Sequence, residues 1–148
     1  MKLEGLTPIL NVTDVPASRE WFAQLGWQRG FSWNASGLIE GGADENSHGP
    51  AEFGSVCNGD FEIFLCQNGQ GARDGHAPRT PGDDDTGGVW MSWWLASPAD
   101  VDALHELAQS KGLTITQPPI DEPWGVREFH LIHPDGHTFR VSASLSRE

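Results

Sequence analysis

The sequence predicts an α+β fold of two βαβββ modules in tandem, and three observations predict it. A strand, a helix and three further strands can be read before residue 67, and the same succession can be read again after residue 88. Landmarks recur in matching order, Val12 with Leu95, Gly26 with Gly112 and Gly59 with Gly136, so the halves read as an internal duplication with loops of unequal length. Between them lies QNGQGARDGHAPRTPGDDDTGG, residues 67 to 88, whose Gly, Pro and acid content offers almost nothing to pack. The expected organisation is one domain over 1–148, with module 1 at about 5–66, a flexible connector at 67–88 that could serve as a lid, and module 2 at about 89–143.

In module 1, residues 6 to 12 read as a strand with Pro8, Leu10 and Val12 on one face and Thr7, Ile9 and Asn11 on the other. Pro8 cannot donate to a ladder and belongs at the strand's start. Asp14 is placed to cap a helix with Pro16 in its first turn, burying Val15, Ser18, Phe22 and Leu25 and ending at Gly26. A strand near Trp27 to Asn34 is followed by a polar, Gly-rich loop at about 36 to 50. Glu52 to Cys57 and Phe61 to Cys66 are extended runs joined through Asn58-Gly59-Asp60, a hairpin signal.

In module 2, Val89 to Leu95 is a strand, and Ser97-Pro98-Ala99-Asp100 opens a helix with a hydroxyl cap and proline at its first position. Val101, Leu104, Leu107 and Ala108 form its buried stripe, and Gly112 ends it. Leu113 to Gln117 is a strand, Pro118-Pro119 a loop, and Val126 to His133 and His137 to Ser142 are strands hinged on Pro134-Asp135-Gly136.

Composition excludes several functions. Nine Lys and Arg against 21 Asp and Glu give a formal charge of −12, which repels nucleic-acid phosphates and favours cationic or neutral ligands. The longest apolar stretch, around Val89 to Ala96, is broken by Ser92 and too short to span a bilayer, so no membrane partner is expected. The opening MKLEGLTPILNVTD lacks the apolar core of a secretory signal, which points to a cytoplasmic protein. Cys57 and Cys66, the only cysteines, form no CxxC and read as reduced thiols. GxGxxG after a strand, GxxxxGK[ST], GxSxG and HExxH are all absent.

Four segments in order, ILNVTDVPASREWFAQLGW, GDFEIFL, SPADVDALHELAQSKGL and PWGVREFHLIHPDGHTFRV, resemble the vicinal oxygen chelate superfamily of glyoxalases, bleomycin-resistance proteins and extradiol dioxygenases. The resemblance implies paired modules whose strands curl into an open, cupped mixed sheet with helices outside, and a homodimer. It also implies four inward positions that hold a divalent metal in many members, falling here on Thr7, Glu62, Trp90 and Arg140. Only Glu62 could ligate. Arg140 repels a cation and Trp90 offers no lone pair, so the expectation is no metal and no cofactor, with a Glu62–Arg140 pair in the ion's place.

Strand alternation then assigns the cup. Ile9, Asn11, Phe64, Cys66, Ser92, Trp94, Glu128, His130 and Thr138 are placed inward, and Leu10, Val12, Phe61, Ile63, Leu65, Phe129, Leu131, Phe139 and Val141 outward as the core. Trp93 goes with the core, while Trp90, Trp94 and Trp124 line the cup and offer flat faces for stacking. His133 reads as turn-stabilising, His105 as exposed, and His48 and His76 as loop residues. The expected function is sequestration of a drug or metabolite, as in the metal-free bleomycin-resistance branch. Three alternatives stay open: a metal-dependent lyase, isomerase or dioxygenase using Glu62 and a histidine, a metal-free enzyme with His130 or Glu128 as base beside Arg140, and a regulatory module with a self-filled cup.

Overall fold

The computed structural model describes residues 1–73 and 87–146. They fall into two compact units, Met1–Ala72 and Arg73–Glu148. The connector's central part and His76 lie outside the described residues.

The first unit holds β1 (Ile9–Val12), α1 (Val15–Ala23), β2 (Gln28–Asn34), β3 (Gly37–Leu38), a 3-10 turn at Glu40–Gly42, β4 (Glu45–Asn46), β5 (Gly49–Pro50), β6 (Phe53–Asn58) and β7 (Phe61–Gln67). Its main sheet runs β1-β7-β6-β2-β3, with β1 and β7 parallel and the other pairs antiparallel. The second unit holds β8 (Trp90–Trp94), α2 (Pro98–Ser110), β9 (Thr114–Asp121), β10 (Val126–Ile132) and β11 (Thr138–Ser144) in the order β8-β11-β10-β9, with β8 and β11 parallel. In both units the first strand pairs parallel with the last, so the duplication extends to the order of the strands.

Local signals set the helices. Asp14 accepts a hydrogen bond from Ala17 N at 3.0 Å and Ser97 accepts one from Asp100 N at 3.2 Å, and each helix has a proline in its first turn. Gly26 and Gly112 take φ of 89° and 70° just past the two helices, the left-handed conformation that a helix stop favours. The β6–β7 hairpin closes at Asn58 and Phe61, leaving Gly59 to take the positive φ of the two-residue turn.

The helix-facing sheet residues are buried as alternation requires: Leu10, Val12, Ile63 and Leu65 under α1, and Phe129, Leu131, Phe139 and Val141 under α2. Phe61 departs from this, being 75% exposed because it sits at the mouth of the hairpin beyond the helix. Leu107 is also exposed, at the edge of the α2 stripe.

Four further expectations change. The first strand begins at Ile9, which leaves Thr7 and Pro8 outside it. The 36 to 50 loop is built, containing β3, the 3-10 turn and the β4–β5 ribbon. β9 runs through Pro118 and Pro119 because it is the edge strand of its sheet, where a missing N–H costs no ladder bond on the open side, and its pairing with β10 shifts register between Glu128 and His130. The connector's first residues are tied down: Asn68 N donates to Val12 O at 2.9 Å and Asn11 Nδ2 to Gly71 O at 2.8 Å.

Arg19 ties α1 to the built loop. It is fully buried one turn after Val15, and it donates to Phe31 O at 2.6 Å and to Gly42 O at 2.5 Å, with Asp44 Oδ1 3.0 Å from its Nε. Burial lowers its pKa, opposed by Asp44. Gly54 makes the room, since a Cβ there would stand 2.9 Å from Arg19 Nη1.

Candidate functional site

Each sheet has a second face, turned from its helix, and the candidate binding residues gather there. In the first unit the register places Ile9 beside Phe64 and Asn11 beside Cys66, with Ser55 and Phe53 on the next strand and Cys57 across from Glu62. A bulge in β2 between Arg29 and Ser32 turns Phe31 onto the same face, where it completes a triad with Phe53 and Phe64 at centroid distances of 5.8, 5.5 and 5.5 Å. Of the three, sequence reasoning placed only Phe64. Glu62 accepts from Cys57 Sγ at 3.6 Å. Burial, with Glu62 adding its charge, pushes the Cys57 thiol up, and burial alone does so for Cys66, so both thiols stay protonated at neutral pH and are poor nucleophiles. Thr7 is exposed ahead of β1.

In the second unit the corresponding face carries Trp90, Ser92 and Trp94 on β8, Thr138, Arg140 and Ser142 on β11, and Glu128 and His130 on β10. Glu128 is its anchor. This buried carboxylate accepts on Oε2 from Arg140 Nε at 3.1 Å, Arg140 Nη2 at 2.9 Å and Ser142 Oγ at 3.1 Å. Arg140, expected opposite Glu62, therefore pairs across the β10–β11 ladder with a carboxylate of its own sheet. That ladder sets Ser142 opposite Glu128, within reach of a long side chain two residues earlier. Three donors on one oxygen make Glu128 an anchor for a guanidinium in preference to a base for a substrate.

The His130 ring meets Trp90 edge to face at 5.6 Å. Trp90 is 36% and Trp94 67% exposed, flanking the exposed Ser92 along the edge strand. Trp124 is exposed in the β9–β10 turn. Trp93, on the helix side, stacks on Phe139 at 4.5 Å, as its core assignment requires. His105 is half-buried against Phe129 at 5.3 Å, so its expected exposure is corrected. His133 does the work expected of it: its Nδ1 accepts from Asp135 N at 3.0 Å, as an Asp side chain in such a turn does.

The donor set does not fit a divalent metal. Of the four positions implied by the resemblance, only Glu62 carries a ligating atom of the usual kind, and Arg140 brings a permanent positive charge. Among the described residues no group of three or more His, Cys, Asp or Glu side chains is placed to hold a metal ion, and no helix is long and apolar enough to cross a membrane.

The family described as Glyoxalase/Bleomycin resistance protein/Dioxygenase superfamily matches residues 5–141. Among solved structures, TioX from Micromonospora sp. ML1 is similar at TM-score 0.68 and 19% identity, covering 97% of this chain and 100% of that one. A bleomycin-binding protein complexed with bleomycin is similar at TM-score 0.58 and 16% identity, over 96% and 99%. A glyoxalase-related enzyme from Clostridium phytofermentans is similar at TM-score 0.62 and 17% identity, over 97% of each. No curated protein matches the chain.

Proposed function

This chain belongs to the glyoxalase/bleomycin resistance protein/dioxygenase superfamily, and from that premise we propose that it binds a small organic molecule on its helix-free sheet faces and acts by sequestering it. One observation carries the reading: at Arg140 a guanidinium clamped by Glu128 stands beside two exposed indoles, which is equipment for holding a planar compound and unsuited to ligating a metal. The half-buried Phe31, Phe53 and Phe64 triad supplies a second flat apolar surface. Ile9 and Asn11 border it, as do Thr138 and His130 the indole face, and Trp124 is a further exposed indole. Holding a compound away from its target is what a bleomycin-binding relative suggests, and drug resistance by that route fits a site whose buried carboxylate, Glu128, is taken up by Arg140 and Ser142. The same premise supports a homodimer, and light scattering in solution tests the oligomeric state.

Tryptophan fluorescence tests binding directly. Titration with bleomycin and with a panel of planar drugs should quench or shift the emission saturably for at least one compound, and Trp90→Ala should weaken that compound by about tenfold. Emission indifferent to every compound would remove the proposal. Recovery of a chemically altered ligand would replace it with catalysis, for which His130 is the remaining candidate base.

A further inference from the structure

We propose that the second-unit face selects an uncharged planar carbonyl compound, whose oxygen accepts from Arg140 and whose ring lies between Trp90 and Trp94. The inference rests on the small-molecule reading above and adds the chemical class of the ligand.

The guanidinium is held on one edge only. Nε and Nη2 both donate to Glu128 Oε2, while Nη1, on the edge remote from that carboxylate, makes no hydrogen bond among the described residues and is not a buried orphan. The side chain of Glu128 is 2% exposed and that of Arg140 36%, so the carboxylate lies within the sheet and the guanidinium reaches toward solvent. A donor fixed by two bonds loses little freedom when it takes a third partner. Ser92 is beside Arg140 in the parallel ladder, with Trp90 and Trp94 two residues to either side on the same face. The small Ser92 side chain therefore leaves a slot between two tryptophans whose Cα atoms stand roughly 13 Å apart, at a rise of about 3.3 Å per residue. Thr138 adds an independent sign. Its residue is 1% exposed, it shares this face across from Trp90, and its Oγ1 has no hydrogen-bond partner, an unsatisfied polar group of the kind that a ligand or water normally meets.

Charge selects the class. Arg140 is neutralised by the carboxylate beneath it, so the corner holds no net charge to attract an anion, and a chain of formal charge −12 repels one. A cation meets the exposed guanidinium edge instead of a carboxylate. The cationic ligand that the acidic composition favours is therefore set aside at this face, and the partner that satisfies an N–H donor without bringing charge is an amide, ester or ketone oxygen.

Three probes with one ring system test this by calorimetry on the full chain: 2-naphthamide, 2-naphthoate and 2-naphthylmethylammonium. The amide should bind about tenfold more tightly than either charged probe. Arg140→Lys keeps a positive charge over the buried Glu128 and so preserves the fold, checked by thermal melting, but it lacks the planar fork and should cost the amide about tenfold. Equal affinity for all three probes, tightest binding of the ammonium, or full retention of amide affinity in Arg140→Lys overturns the carbonyl assignment and leaves ring binding standing. Failure of all three probes to bind the wild-type chain overturns the carbonyl assignment, and the sequestration reading is then decided by the fluorescence panel alone.

Discussion

Two buried histidines at the β10–β11 turn act as acceptors, which requires their Nδ1 atoms to be unprotonated. His133 Nδ1 takes Asp135 N, His137 Nδ1 takes Val89 N at 3.0 Å, and the rings are 5.5 Å apart. Burial chiefly, and repulsion from His137, push His133 down to about 3, against the pull of Asp135. Because the folded value lies below the unfolded one near 6.5, the unfolded chain binds more protons between these limits. The associated stability is complete above about pH 6.5 and drains away as pH falls toward 3, at up to about 1.4 kcal/mol per pH unit for each proton. His133→Asn retains an acceptor for the turn and removes the titration. Urea denaturation between pH 7 and 4 should therefore show a shallower loss in the variant, and parallel curves would contradict the assignment. Arg19 is the other residue on which much depends. Arg19→Met orphans the Phe31 and Gly42 carbonyls and leaves Asp44 without its buried partner, and should cost about 3 kcal/mol or more in the same assay.

At the scale of elements, whatever rests on local physics was legible from residues alone. Capping is one such case: Asp14→Ala and Ser97→Ala should each lower stability by about 1 kcal/mol, since each strips an acceptor from a first-turn N–H, and a thermal melt unmoved by either would deny the cap its role. Strand alternation is another, and it put Leu10, Val12, Ile63, Leu65, Phe139 and Val141 in the core without knowledge of any partner strand. What the residues concealed depends on neighbours. Pro118 and Pro119 stop a strand only if it is paired on both sides, and the edge position of β9 is a property of the sheet order. The Phe31, Phe53 and Phe64 triad requires the β2 bulge, which alternation cannot foresee. Glu128 and Arg140 were each visible as site candidates, but their pairing follows from the β10–β11 register. Arg19 stood four residues after Val15, on the buried stripe, and that spacing was the one available sign of a charged side chain turned inward.

For the whole molecule, the duplicated topology predicts how stability is distributed. Each unit places its parallel-paired last strand and that strand's hairpin partner at the centre of its sheet, β7 with β6 and β11 with β10, and these strands carry the fully buried Val56, Leu65, Phe129, Leu131, Phe139 and Val141. The short β3, β4 and β5 have pairings of two residues each and largely exposed side chains. Opening free energy follows buried apolar contact and shielded ladder bonds. Amide hydrogen exchange should therefore show two separate maxima of protection, one in β6–β7 and one in β10–β11, with exchange faster through residues 37 to 50 than in either. Glu128 and Arg140 sit on strands of the second maximum, so the clamped guanidinium is carried on the least yielding part of its unit and meets a ligand already oriented. A single maximum confined to one unit, or protection in β4–β5 equal to that in β10–β11, would show that the two modules do not each hold a core of their own, and the preorganised site would lose its support.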